Sequence, residues 1–129
     1  MRLTVLLIED NEQNRYLATY LLERGGHVVV AAATGPMGIA LAQELVPDVV
    51  LLDIQLPLMD GYEVARALRA IDALRGTPIV AVTSYAMVGD RERALDAGCN
   101  GYIEKPINPD TFVSEITRFV AAPLSARTS

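Results

Sequence analysis

Residues 49–61 read VVLLDIQLPLMDG. Four aliphatic residues run straight into one carboxylate, Asp53, and a loop carrying Pro57 and Gly61 comes next. A short apolar run with no polar alternation suits a strand covered on both faces, as in a parallel sheet. Asp53 then stands at the carboxyl end of that strand. Either it closes the strand and caps a turn, or it is displayed there for chemistry. What else arrives at the same place decides between the two.

Four further runs have the same character: LTVLLIE from Leu3, HVVVAAA from His27, PIVAVTS from Pro78 and the short GYIEK from Gly101. Between them the apolar residues fall at helical spacing. Leu17, Tyr20 and Leu21 share a face, as do Met37, Ala40, Leu41 and Leu45, then Val64, Leu68 and Ile71, and finally Phe112, Ile116, Phe119 and Val120. Asn108-Pro109 reads as an N-cap followed by proline at the first helical position. Gly25 and Gly98 stand where helices stop, and Asp60-Gly61 reads as the entry to the third helix. The fourth helix, from about Met87 to Ala97, offers only Val88, Ala94 and Leu95 as apolar contacts, so loose packing is expected of it. A strand–helix pair repeated through the chain implies an α/β fold: a parallel sheet with helices on both faces and right-handed crossovers. For five strands the expected arrangement is doubly wound and flavodoxin-like, in the order 2-1-3-4-5, with ligands bound outside the carboxyl ends where strand order reverses.

At 129 residues the chain suits one domain. We expect that domain over residues 1–122, with 123–129 a tail or the remnant of a linker. Although 51% of the residues are hydrophobic, no apolar stretch is long enough to span a bilayer, and there is no signal-type amino terminus. A net charge of −5 without a Lys/Arg cluster argues against direct nucleic-acid binding. The single cysteine, Cys99, cannot form an internal disulfide, which fits a reducing, cytoplasmic compartment. Cys99 reads as a small buried hydrophobe, and the lone histidine, His27, as an exposed residue opening the second strand.

The expected topology predicts what gathers at the carboxyl edge. The first strand delivers Glu9-Asp10, the third Asp53, the fourth Thr83-Ser84, and the fifth Glu104-Lys105-Pro106. Two carboxylates about 4 Å apart repel by roughly 4 kcal/mol at an effective dielectric near 20. Lys105 offsets one of them, and a divalent ion is the natural partner for the rest. Few ligands, all hard oxygens, favour Mg²⁺ over Ca²⁺, and the lack of His or Cys argues against Zn²⁺. A hydroxyl, a lysine and Mg²⁺ around one carboxylate suit a phosphoryl group. Asp53 would be the nucleophile, with Thr83 and Lys105 meeting the transferred oxygens.

These motifs together resemble the receiver domains of two-component response regulators, the group that includes the chemotaxis regulator. The resemblance runs from about Leu3 to Val120. It rests on LLIEDNEQNR, LLDIQLPLMDG, IVAVTS and GYIEKPI, in that order, each at the end of its own strand. The wording EDNEQNR and the absence of an output domain from these residues are most similar to single-domain cell-cycle regulators and the receivers of hybrid kinases. The resemblance implies that Asp53 is the phosphoacceptor. It also implies Mg²⁺ held directly by Asp10, through water by Glu9, and by Asp53 and the backbone carbonyl of Gln55. Thr83 and Lys105 would hold the phosphoryl oxygens, and Lys105-Pro106 would be a cis peptide. Tyr102 matches the family's switch aromatic, although plain core packing explains it equally well. Gln55 and Tyr85 occupy positions that tune phosphoryl lifetime in the family, and Tyr85 reads as a rim or surface residue.

The resemblance implies a switch. A histidine kinase or phosphotransfer protein would supply phosphohistidine, and the α4-β5-α5 face would act on a downstream protein or through a phosphorylation-dependent dimer. The domain would catalyse its own phosphorylation and slow dephosphorylation without being a turnover enzyme. Two other functions are weighed against this. A Mg²⁺-dependent phosphatase with an Asp nucleophile typically carries a second Asp two residues on, where this chain has Gln55. A flavodoxin-like cofactor binder needs a phosphate-cradling loop after the first strand, where Glu9-Asp10-Asn11-Glu12 would repel phosphate.

Overall fold

The computed structural model describes residues 2–84 and 89–121. Five strands form one parallel sheet: β1 (Thr4–Ile8), β2 (Val28–Ala32), β3 (Val49–Asp53), β4 (Ile79–Thr83) and β5 (Gly101–Glu104). Helices alternate with them: α1 (Glu12–Arg24), α2 (Gly35–Leu45), α3 (Gly61–Arg69), α4 (Asp90–Asp96) and α5 (Phe112–Ala121). The strand order is β2-β1-β3-β4-β5, as the sequence pattern implies. The unbroken apolar runs are explained by their cover, since every residue of β3 and β4 is buried. Alternate side chains serve opposite cores. Leu6, Ile8, Val50, Leu52 and Ala81 pack with Ala42, Val64 and Leu68 from α2 and α3. Val5, Leu7, Val49, Leu51 and Val80 pack with Ala18, Leu22, Phe112 and Ile116 from α1 and α5.

The chain steps outward from β1 to β2, then returns across β1 to β3. Loops leaving β1 and β3 therefore diverge, which opens a crevice at their carboxyl ends.

Helix ends obey local chemistry. Asn11 caps α1 by accepting from Asn14 N at 2.9 Å, and Asp60 caps α3 by accepting from Glu63 N at 3.0 Å. Asn108 accepts from Asp110 N on its side chain and from Phe112 N on its carbonyl, each at 3.0 Å. It acts as the expected cap, with a turn before the regular helix begins at Phe112.

Four expectations need correction. On α1 the fully buried face is Ala18 and Leu22, while Tyr20 is exposed and stacks on Tyr16 with ring centroids 6.4 Å apart. On α2 the inner face is Gly35, Gly38 and Ala42, while Met37, Ala40 and Leu45 are exposed. The reason is close approach: a Cβ on Gly38 would lie 2.7 Å from Ile8 Cγ1 and nearer still to Cδ1, so only a residue without one lets the helix sit that near the sheet. On α4 Leu95 is exposed and Ala94 alone is buried. Met87 and Val88, with which that helix was expected to begin, lie outside the described residues, as do Tyr85 and residues 122–129. Finally, His27 is buried rather than exposed, because its Nδ1 accepts the Leu3 N–H at 3.0 Å and ties the start of β2 to that of β1.

Burial holds the His27 imidazole below its ordinary pKa. The unfolded chain therefore takes up this proton first as pH falls, and stability is lost below the ordinary histidine range, about pH 6.5. His27→Asn keeps an acceptor on Cγ and does not titrate. The gap between the urea midpoints of wild type and His27→Asn should move in the variant's favour as pH is lowered through that range. A gap independent of pH would contradict the assigned bond.

Candidate functional site

The carboxyl edge collects its side chains from four strands. Glu9 and Asp10 come just after β1, Asp53 ends β3, Thr83 ends β4, and Lys105 comes just after β5. Glu9, Asp53 and Thr83 are buried, whereas Asp10 is exposed at the rim. One oxygen from each of Glu9, Asp10 and Asp53 lies within 4.8 Å of the others. Lys105 Nζ reaches Glu9 Oε1 at 2.7 Å and Asp53 Oδ2 at 3.4 Å. Its position is set by the backbone: Lys105 N donates to Thr83 O at 2.8 Å, and the Lys105-Pro106 peptide is cis.

Asp53 is held from its own loop as well, since Gln55 N donates to Oδ1 at 3.0 Å. The loop then folds back so that Gly61 N donates to Ile54 O at 3.0 Å. A Cβ on Gly61 would stand 2.5 Å from Ile54 Cα and 2.7 Å from Asp53 O. Both obstacles are backbone, so the Asp60-Gly61 entry needs glycine for this return, beyond its role in starting α3.

Electrostatics make the pocket unusual. The Asp53 carboxyl is raised to about 7, first by burial, then by its hydrogen bond and repulsion with Glu9; Lys105 and the Gln55 N–H pull the other way. One ammonium cannot balance three carboxylates at this separation. The remaining charge, the all-oxygen donor set and the open rim at Asp10 fit a small hard cation such as Mg²⁺. By the same logic a lone phosphate would be repelled by the metal-free pocket.

Two contributors went unread in the sequence. Arg15 Nη1 donates to Glu9 O at 2.9 Å and Asp10 O at 3.3 Å, bracing the turn that carries both acids. Its place one helical turn past that turn was the available signal. Gln55, expected to offer its backbone carbonyl to the metal and to sit where phosphoryl lifetime is tuned, also bridges strands with its side chain: Nε2 donates to Thr83 Oγ1 at 2.6 Å and Oε1 accepts from Ser84 N at 3.2 Å. Tyr102 lies on β5 opposite Ala81 of β4, half-buried, with a buried hydroxyl that has no hydrogen-bond partner among the described residues. Nearby on α3, Tyr62 carries the Arg93 guanidinium of α4 at 4.4 Å from its ring centroid.

The family model for the response regulator receiver domain matches residues 5–117. The chain belongs to that family. As a receiver domain of two-component response regulators it is a phosphorylation-dependent signalling switch, and its Glu9, Asp10 and Asp53 cluster fits a Mg²⁺ site. Among curated proteins it is similar to the polar-differentiation response regulator DivK of Brucella anthropi, 41% identical over 117 residues, which cover 91% of this chain and 95% of that protein. DivK of Brucella ovis is 40% identical over 120 residues, covering 93% and 98%. Among solved structures, the receiver domain of the sensor histidine kinase PA1611 from Pseudomonas aeruginosa, with a magnesium ion coordinated in its active-site cleft, superposes with a TM-score of 0.87 at 34% identity. That match covers 95% of this chain and 100% of that one. The chemotaxis protein CheY4 of Vibrio cholerae gives a TM-score of 0.87 at 29% identity, over 92% and 98%. Among the described residues, no helix of this receiver domain is long and apolar enough to cross a membrane.

Raising a folded-state carboxyl pKa makes the folded protein bind the proton more tightly than the unfolded chain. Stability therefore falls as pH climbs from the ordinary Asp range to about 7 and stays lowered above it. In chelator at about pH 8, Asp53→Asn should be more stable than wild type by about 1–2 kcal/mol, a few degrees in Tm. Saturating Mg²⁺ should narrow that gap. Equal stability of the two proteins in chelator would show that the carboxylates are not crowded.

Proposed function

We propose that Asp53 is the phosphoacceptor of this receiver domain and that Lys105, Thr83 and a Mg²⁺ held at Glu9, Asp10, Asp53 and the Gln55 carbonyl complete its chemistry. The observation that carries this reading is the Lys105 ammonium set between Glu9 and Asp53, with Asp10 in reach at the open rim. When bound, Mg²⁺ supplies positive charge that neutralises phosphoryl oxygens and keeps Asp53 ionised.

The donor is a phosphohistidine on a histidine kinase or phosphotransfer protein. A carboxylate oxygen of Asp53 attacks phosphorus, and the phosphorus–nitrogen bond breaks with its electron pair leaving on the imidazole. Lys105 Nζ, already 3.4 Å from Asp53 Oδ2, meets the negative charge carried by the transferred group. Thr83 donates its hydroxyl to another phosphoryl oxygen. Water later attacks phosphorus, the bond to Asp53 breaks, and inorganic phosphate departs. The domain thus speeds its own phosphorylation and slow hydrolysis and is not a turnover enzyme. Gln55 occupies the position where an Asp-nucleophile phosphatase would keep its second acid.

Output arises from packing. Movement of Thr83 toward the phosphoryl group makes room for Tyr102, whose buried hydroxyl gains by moving toward a partner. Helix α4 buries only Ala94 among its own residues and sets Arg93 over Tyr62, light packing that favours movement. The α4-β5-α5 face then presents a changed surface to a downstream protein, or to a second phosphorylated copy. The acidic charge and the buried free thiol of Cys99 suit work in the cytoplasm, away from nucleic acid and membrane.

Incubation with acetyl phosphate and Mg²⁺ should yield one hydroxylamine-labile phosphoryl adduct, read by intact mass. Asp53→Asn should abolish it and chelator should prevent it. A sole adduct that persists in Asp53→Asn would defeat the assignment.

A further inference from the structure

Gln55 touches both ends of the reaction. Its backbone N–H holds Asp53 Oδ1 at 3.0 Å, and its side-chain amide bridges Thr83 Oγ1 and Ser84 N. The amide's orientation is forced. Ser84 N–H is only a donor, so Oε1 faces it, and Nε2 is left to donate to the Thr83 oxygen. The β3–α3 loop is thereby tied to the end of β4 at the residue whose hydroxyl must serve the phosphoryl group. Thr83 cannot turn toward Asp53 and keep a 2.6 Å bond to a residue fixed in the loop. The amide is also neutral, so it makes this tie without adding charge to the three carboxylates.

From this we infer that Gln55 is a clasp: a positioning residue whose side chain holds Thr83 in the unphosphorylated arrangement and must let go before the switch completes. The inference rests on the phosphoacceptor reading and adds a regulatory role for the side chain of a residue that contributes only its backbone carbonyl there. The clasp raises the free energy of the activated state, so that phosphorylation and not thermal fluctuation moves β4. It acts chiefly through Thr83, so most of its effect is lost once that hydroxyl is gone, leaving only the longer bond to Ser84 N.

The test uses Gln55→Met, close in length and unable to bond, with Thr83→Ala and the double variant. Beryllofluoride, a phosphoryl mimic for carboxylates, is titrated at saturating Mg²⁺ and monitored by NMR at the Tyr102 ring. Gln55→Met should bind it about two- to tenfold more tightly, the worth of one neutral hydrogen bond. In the Thr83→Ala background the same substitution should give a clearly smaller gain. In wild type the Gln55 amide protons should exchange slowly before beryllofluoride and fast after it. Unchanged or weaker binding by Gln55→Met, an equal gain in Thr83→Ala, or amide protons that exchange at the free rate from the start would overturn the clasp alone. Failure of beryllofluoride to bind wild type would overturn the phosphoacceptor reading together with it.

Discussion

The carboxyl edge depends on one ammonium. Lys105 Nζ lies between Glu9 and Asp53, and it is the counter-charge that two buried carboxylates share. Breaking such a pair is costly because the remaining charges stay desolvated. The lysine cannot finish the task, since Asp10 brings a third acid to the same few ångströms. The result is a pocket that folds with a charge deficit and keeps it. Arg15 serves the same turn differently, by donating to the carbonyls of Glu9 and Asp10. Those bonds stiffen the backbone that presents both acids.

The parallel sheet makes this concentration of charge tolerable. All five strands point the same way, so each buried apolar run ends at the same edge, and polar groups that the core could not accept begin where the core stops. Leu52 and Asp53 are neighbours in sequence, yet the first packs against α3 while the second opens into the crevice. The strand order then matters. With β1 and β3 adjacent, their neighbouring ends bring Glu9 and Asp53 together, and β4 and β5 bring Thr83 and Lys105 alongside.

Much of this was legible because it depends on pattern and order. Unbroken Val, Ile and Leu runs announced the buried strands, alternation with helical spacing announced the crossovers, and the residues at the ends of four of those runs named the pocket. What escaped depended on distance in three dimensions. Helical spacing placed the largest apolar residues of α2 inward, but the helix lies so close to Ile8 that Gly38 faces the sheet and Met37 does not. His27 looked exposed beside Gly25-Gly26, yet Leu3, far off in sequence, needed an acceptor for its N–H. Nothing in Val46-Pro47-Asp48 announces that Val46 ends α2 at φ 43°, a conformation that β-branched residues rarely adopt. The Gln55 amide was equally hidden, because its partners Thr83 and Ser84 reach it only through strand pairing.

Those hidden contacts bear on how a small domain can be both stable and switchable. A core of interdigitated aliphatic side chains resists graded deformation, so a signal must act where the structure has two discrete choices. The edge offers such choices in sequence. The pocket holds a charge deficit that a cation relieves, Asp53 carries a carboxyl poised near 7, Thr83 is tied to Gln55, and the buried Tyr102 hydroxyl has no hydrogen-bond partner among the described residues. The crowded carboxyl and the unpartnered hydroxyl are local costs that the fold carries, whereas the Thr83–Gln55 bond is a contact that a rearranged edge would give up. Helix α4, which buries Ala94 and sets Arg93 over Tyr62, is lightly packed. On the phosphoacceptor reading these features set a direction: free energy released at Asp53 would be spent first on Thr83, then on Tyr102, and last on the helix that partners would read.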